Sequence, residues 1–85
     1  MKDQLGLYYY PFLTNKRVRM YVRRGPLDIE FRMWNQDDPQ MWDEHGWVPY
    51  DAIVQAMAMH KGGGFDPRQA YDIKTAQALI DEDMQ

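Results

Sequence analysis

Hydrophobic and polar residues alternate along two neighbouring stretches of the chain, residues 17–24 and 27–34. The apolar positions recur at every second residue: Val18, Met20, Val22, Leu27, Ile29, Phe31 and Met33. Because side chains on a β-strand point alternately to its two faces, this period predicts a β-hairpin with one wholly apolar face. A two-residue turn at Gly25 and Pro26 would place Val22 opposite Ile29 and fix the register of the hairpin.

The preceding stretch, residues 5–13, is rich in aromatic residues and also predicts a strand. Its alternation separates two faces, with Leu5, Leu7 and Tyr9 on one and Tyr8, Tyr10 and Phe12 on the other. The pattern does not decide which of these faces is buried. Since Pro11 has no amide donor, we expect this strand to end near Tyr10 or to lie at the edge of the sheet.

Helices are expected after Trp34, over residues 39–45, over residues 49–61 and from residue 67 to about residue 80. Each begins at a proline, which suits the first helical position because an amide there has no partner within the helix. The first and third prolines follow an aspartate that can cap the helix. A run of three glycines at 62–64 ends the second helix and predicts a flexible linker.

These elements predict an α+β fold in a single domain spanning residues 1–85. We expect a two- or three-stranded antiparallel sheet with the hairpin 17–34 at its centre, followed by a short helix and two longer helices packed on one face. A chain of 85 residues can bury one hydrophobic core. The two ends, residues 1–4 and 81–85, are expected to fray.

Charge is distributed unevenly along the chain, although the formal net charge is only -3. Residues 1–34 carry seven basic and three acidic side chains, whereas residues 35–85 carry three basic and ten acidic ones. The sheet is therefore expected to form a basic end that can attract an anionic partner. Cysteine is absent, and no stretch approaches the roughly 20 apolar residues of a membrane span, so we expect a cytoplasmic protein without membrane contact.

The residue types needed for most enzyme chemistry are missing. Serine and cysteine are both absent, which excludes enzymes that use either side chain as a nucleophile. His45 and His60 match no established metal-ligand spacing, and each lies near the predicted end of a helix, where a histidine interacts favourably with the helix dipole. We therefore predict no catalytic residues, no metal site, no cofactor and a non-enzymatic function.

Arginine and aromatic side chains together mark one candidate binding surface. Its predicted partner-binding residues are Tyr8, Tyr10, Arg17, Arg19, Arg32 and Trp34. The predicted register pairs Arg23 with Asp28 and leaves the three arginines of the surface unpaired around Trp34. Since Tyr, Trp and Arg dominate the hot spots of protein interfaces, the sequence favours a small interaction or regulatory module that binds a protein partner.

Two alternatives use the same part of the chain. Arginines that bind phosphates beside rings that stack on bases would hold single-stranded RNA or DNA. The acidic net charge is unusual for such a module. An edge strand over residues 5–10 could instead pair with the same strand of a second copy and form a homodimer.

Overall fold

A five-stranded antiparallel sheet forms the centre of the computed structural model, which describes residues 1–60 and 66–84. The strands are neighbours in space in chain order: β1 Lys2–Asp3, β2 Gly6–Tyr9, β3 Val18–Arg24, β4 Ile29–Asn35 and β5 Val48–Pro49. The α+β class is confirmed, but the prediction of a two- or three-stranded sheet is wrong. The two missed strands, β1 and β5, are two residues long, and so short a segment shows no alternation.

The connection between β3 and β4 is a four-residue loop over residues 25–28, where the sequence predicts a two-residue turn. Val22 consequently pairs with Phe31 and not with Ile29. The error is two residues, which is one full period of a strand, so the predicted division of the hairpin into two faces is preserved. The exception is Leu27, which lies in the loop and is 97% exposed.

The described residues form four helical segments: α1 Gln40–Glu44, α2 Tyr50–Ala58, α3 Pro67–Ala70 and α4 Ile73–Asp83. Because α1 precedes β5, the helices do not all follow the sheet as the sequence predicts. The last predicted helix is divided in two. Asp66 caps α3 by accepting a hydrogen bond from the Arg68 amide, as its position predicts, and Asp72 then caps α4. The predicted linker at 62–64 lies outside the described residues.

The core lies between one face of the sheet and helices α2 and α4. Its buried side chains are Val18, Met20, Val22, Ile29, Phe31, Ile53, Ala70, Ala76 and Ile80. Leu7 and Tyr9 pair with Val22 and Met20, so their side of β2 faces this core. The structure thus shows that the face with Leu7 and Tyr9 is the buried one, which alternation alone does not decide.

Tyr9 ties this core to the junction between α3 and α4. Its hydroxyl donates to the carbonyl of Ala70 and accepts from the amide of Asp72 at 2.9 Å. Both main-chain groups lie where one helix ends and the next begins, so neither has a partner within a helix. Burial raises the pKa of Tyr9, which keeps the hydroxyl protonated and able to donate.

The outermost strands are β1 and β5, so residues 5–10 do not lie at the sheet edge; β2 instead ends at Tyr9, which is the other outcome predicted from Pro11. β1 pairs with β2 through Lys2 opposite Leu7 and covers part of that edge. Lys2 also forms an ion pair of 3.1 Å with Asp83 near the end of α4. Of the helices in the described ranges, none has the length and apolarity needed to cross a membrane.

Candidate partner-binding surface

The face of the sheet opposite the core carries arginines and aromatic rings in place of aliphatic side chains. We call it the aromatic face, and its strand residues are Tyr8, Arg19, Tyr21, Arg23, Glu30, Arg32 and Trp34. They form rows across the strands, since Tyr8 pairs with Tyr21 and Tyr21 with Arg32. Tyr21 is 0% exposed, so part of this face is buried as completely as the core.

Helix α1 covers the Arg32 side of the aromatic face. The ring of Trp42 meets the ring of Tyr21 edge-on, with 5.2 Å between centroids. The guanidinium of Arg32 lies 4.0 Å from the centroid of Trp42 and donates hydrogen bonds to the carbonyls of Trp42 and His45. Because these carbonyls belong to the C-terminal end of α1, Arg32 both caps the helix and holds it against the sheet.

The neighbouring arginine, Arg23, also stacks on a tryptophan ring. Its guanidinium lies 4.3 Å from the ring centroid of Trp47 and its Nε atom lies 2.6 Å from the Glu30 carboxylate. Arg23 and Glu30 are opposite one another in the sheet, whereas the predicted partner of Arg23 is Asp28. The two-residue change of register is the cause of this difference.

Asp3 of β1 reaches onto the aromatic face and neutralises Arg19. Its carboxylate accepts from the Tyr21 hydroxyl at 2.6 Å and from Arg19 at 3.1 Å. Burial disfavours the charged carboxylate, but the hydrogen bonds from Tyr21 and from the amides of Leu5 and Gly6, together with the charge of Arg19, outweigh it and lower the pKa of Asp3. Asp3 is therefore an anion at neutral pH.

Beyond Asp3 and α1, the aromatic face is open. We call this part the open patch and define it by Tyr8, Tyr10, Lys16, Arg19 and Trp34. The guanidinium of Arg19 lies 5.0 Å from the ring centroid of Tyr8 and 5.2 Å from that of Trp34. The rings of Tyr8 and Tyr10 are edge-to-face at 5.7 Å, and Lys16 lies 5.8 Å from the Tyr10 centroid. All three rings are half-buried.

The structure brings four of the six predicted site residues into the open patch: Tyr8, Tyr10, Arg19 and Trp34. Arg17 forms an exposed ion pair of 3.0 Å with Asp37, and Arg32 lies under α1. The expectation that the three arginines are unpaired is wrong, because each has a carboxylate or carbonyl partner. Whether the six residues bind a partner stays a prediction.

Sequence reasoning missed Asp3 and Lys16 as members of this face. Asp3 is distant in sequence from the residues that it contacts, Arg19 and Tyr21. A local signal does exist, because the Asp3 carboxylate also accepts from the Leu5 amide at 2.8 Å, as an aspartate that begins a tight turn does. That turn predicts a short hairpin at the N-terminus, where residues 1–4 were expected to fray.

No three histidine or carboxylate side chains in residues 1–60 and 66–84 come together in a way that could hold a metal ion. Comparison with known proteins found no protein-family model, curated protein or solved structure that matches the chain. The functional argument accordingly depends on the contacts and charges of the chain itself.

Proposed function

We propose that this protein is a small non-enzymatic interaction module that binds a protein partner through the open patch. The observation that supports the proposal is the grouping of three half-buried rings, Tyr8, Tyr10 and Trp34, around Arg19. Such rings offer a large apolar area at low cost in side-chain entropy, and each has a polar tip that can hydrogen bond. Tyr, Trp and Arg are the residue types most enriched in binding hot spots.

The charges of the aromatic face favour a protein over a nucleic acid. Arg17, Arg19 and Arg23 each contact a carboxylate of the chain, at 3.0, 3.1 and 2.6 Å respectively. A phosphate would have to displace these carboxylates, whereas nucleic-acid affinity depends on cations that can exchange small counterions for phosphates. In the open patch the cation without an ion-pair partner among the described residues is Lys16.

Single-stranded nucleic acid is the second candidate, and the same three rings support it. Successive bases stack on exposed aromatic side chains, and Arg19 lies beside two of the rings. A nucleic-acid complex would weaken steeply as salt rises, whereas a protein interface built on rings would be less sensitive to salt. Salt dependence therefore separates the two candidates.

Affinity capture from a lysate of the source organism tests the proposal, with the Trp34→Ala variant compared with the wild-type chain. Leu27→Ala is the matched control, because Leu27 is fully outside the patch and 97% exposed. We expect a specific protein to be captured by wild type and by Leu27→Ala, to be lost with Trp34→Ala, and to survive nuclease treatment. Circular dichroism of each variant verifies that it is folded.

Two results would contradict the proposal. Retention of the captured protein by a folded Trp34→Ala variant would remove the open patch as its binding site. Loss of capture after nuclease treatment, together with salt-sensitive binding of a labelled oligothymidine, would favour the nucleic-acid candidate.

A further inference from the structure

A groove opens at the end of the sheet where β2 begins and β3 ends. Its volume is about 480 Å³, within the range of roughly 300–1,000 Å³ that is usual for pockets that hold small molecules. We call it the sheet-end groove, and its apolar walls are formed by Leu7, Val22, Trp42, Trp47, Ile80 and Met84. Arg24 of the groove lies five positions from Arg19 of the open patch on β3, roughly 17 Å along the strand, so the two sites are separate.

Most of the charged side chains that line the groove are cations. They are Lys2, Arg23 and Arg24, and the carboxylate of Asp83 lines the groove beside them. Lys2 is paired with Asp83 at 3.1 Å, and Arg23 is paired with Glu30 at 2.6 Å. Arg24 is exposed and has no ion-pair partner within residues 1–60 and 66–84. The positive charge of Arg24 is therefore available to an anion.

Neither an extended peptide nor a nucleic acid suits this groove. A peptide strand needs free main-chain groups with which to pair, because its own amides and carbonyls cannot be buried without partners. The strand residues of the groove are already paired, since Gly6 lies opposite Asp3, and Leu7 lies between Lys2 and Val22. A nucleic acid needs several cations that can contact its phosphates, and the groove offers one.

A helix is too large for the groove. Helices that dock in grooves are anchored at positions such as i, i+4 and i+7, which span about two turns. One turn of a helix that is about 10 Å across and 5.4 Å long occupies roughly 420 Å³. The groove, at about 480 Å³, holds about one such turn. Its size accordingly favours a small molecule.

The walls of the groove favour an aliphatic molecule over a flat aromatic one. The rings of Trp42 and Trp47 meet at 75°, so they form no slot between parallel faces. A guanidinium already lies over each ring, that of Arg32 at 4.0 Å from Trp42 and that of Arg23 at 4.3 Å from Trp47. The other apolar walls are aliphatic or thioether side chains. Each methylene group buried against them raises the affinity by up to about fourfold.

We propose that the sheet-end groove binds a small aliphatic carboxylate, with its chain against the apolar walls and its carboxylate on Arg24. The chain supplies the apolar area that the walls can bury, and the single negative charge matches the single available cation. This site goes beyond the proposed function, which concerns the open patch and can stand or fall without it.

A set of three probes tests the site on the full wild-type chain: octanoate, butyrate and 1-octanol. Octanoate has both the chain and the charge, butyrate has the charge on a short chain, and 1-octanol has the chain without the charge. Binding is followed through the indole N–H resonances in nitrogen-15 spectra at neutral pH, which requires no variant to fold. We expect octanoate to shift the resonances of Trp42 and Trp47, to leave that of Trp34 in place, and to bind about fivefold or more tightly than either other probe.

Variants with matched controls then locate the bound carboxylate. Arg24→Gln should weaken octanoate binding by about fivefold or more, whereas Arg68→Gln, which removes the same charge from an exposed arginine outside the groove, should leave it unchanged. Leu5→Glu adds a carboxylate at the groove and should also weaken octanoate binding. Its control is Leu13→Glu, which adds the same charge at a leucine that is 86% exposed and does not line the groove.

Three results would overturn this inference. They are an unchanged spectrum of Trp42 and Trp47 at about ten millimolar octanoate, equal affinity for octanoate and 1-octanol, and equal weakening by the two arginine variants. If octanoate binds as expected while Trp34-dependent capture of a protein fails, the proposed function falls and the groove site stands. The converse pair of results overturns the groove site alone.

Discussion

Replacing Tyr9 with phenylalanine removes one oxygen atom and leaves the ring in the core. The hydroxyl of Tyr9 donates to the Ala70 carbonyl and accepts from the Asp72 amide. These groups end α3 and precede α4, so the substitution leaves one acceptor and one donor at the junction without their partner. The contact between the ring and the core is retained in the variant.

The expected loss in the free energy of unfolding is about 2 kcal/mol, because an orphaned buried polar group costs roughly 1–3 kcal/mol and these two groups are only partly buried. For a domain of this size the loss corresponds to a decrease in melting temperature of roughly 8–16 °C. Tyr10→Phe is the matched control, since Tyr10 belongs to the open patch and is not at this junction. We expect the control to stay within about 0.5 kcal/mol of wild type.

Urea denaturation at neutral pH measures both variants, and alkaline titration adds an independent reading. Burial raises the pKa of Tyr9, so the folded protein keeps a proton that the unfolded chain releases above about pH 10. The stability contributed by the hydroxyl is complete below that pH and falls as the pH rises further. The difference in stability between wild type and Tyr9→Phe should therefore shrink progressively as the pH rises above about 10.

A loss of less than about 0.5 kcal/mol in Tyr9→Phe would refute this reasoning, because it would mean that water satisfies both main-chain groups in the variant. If the stability difference between wild type and Tyr9→Phe does not change at alkaline pH, the assignment of Tyr9 as a buried, protonated donor is refuted. The two results are independent of each other.

Three further substitutions test other parts of the fold. Asp72→Ala removes the cap of α4 and should cost about 1 kcal/mol in urea denaturation at pH 7. Gly25→Ala should destabilise the hairpin measurably in thermal unfolding, because a Cβ atom at that position would lie 2.7 Å from the carbonyl oxygen of Asp28. Asp3→Asn removes the partner of Arg19 and should cost about 1 kcal/mol at neutral pH, since both side chains are partly exposed. The pKa of Asp3 is lowered in the folded state, so the stability difference between wild type and Asp3→Asn should be complete above about pH 4. Urea titrations should show this difference vanishing as the pH falls through the lowered pKa.

The strands of the hairpin could be predicted because their period is a local property of the chain. Alternation places Val22 and Phe31 on one face and Tyr21 and Arg32 on the other, and the structure agrees. The register of the hairpin could not be predicted from alternation, because loops of two and of four residues leave the same side chains on each face. In such a case the pairing is decided by the closure of the loop 25–28 and not by hydrophobicity.

The division of the last helix shows how a tertiary contact overrides a continuous local signal. The apolar spacing from Ala70 onward suits one helix, but the carboxylate of Asp72 accepts from the amides of Lys74 and Thr75 and starts a new one. Tyr9, more than sixty residues away, completes the junction. No window of local sequence contains that partner.

The composition of the candidate site could be predicted, but its electrostatics could not. Alternation places Trp34 on the polar face of the hairpin and Tyr8 beside Tyr10 on one face of β2, but it takes the register between β2 and β3 to bring these two faces together. The charge state of that surface depends on Asp3 and Asp37, which lie outside the hairpin and reach its arginines only in the folded chain. An arginine that looks free in sequence can therefore be a structural residue.

Tyr21 is buried in the aromatic face among rings and guanidinium groups, whereas the opposite face of the sheet buries apolar side chains. An aliphatic core tolerates exchanges that conserve volume, but a layer of stacked cations depends on charge and on planar geometry, so that lysine cannot replace arginine there without loss. Arg19 and Tyr8 take part both in this layer and in the open patch. Selection for a new partner at the patch would therefore act on residues that also keep the chain folded, which restricts how far its specificity can drift.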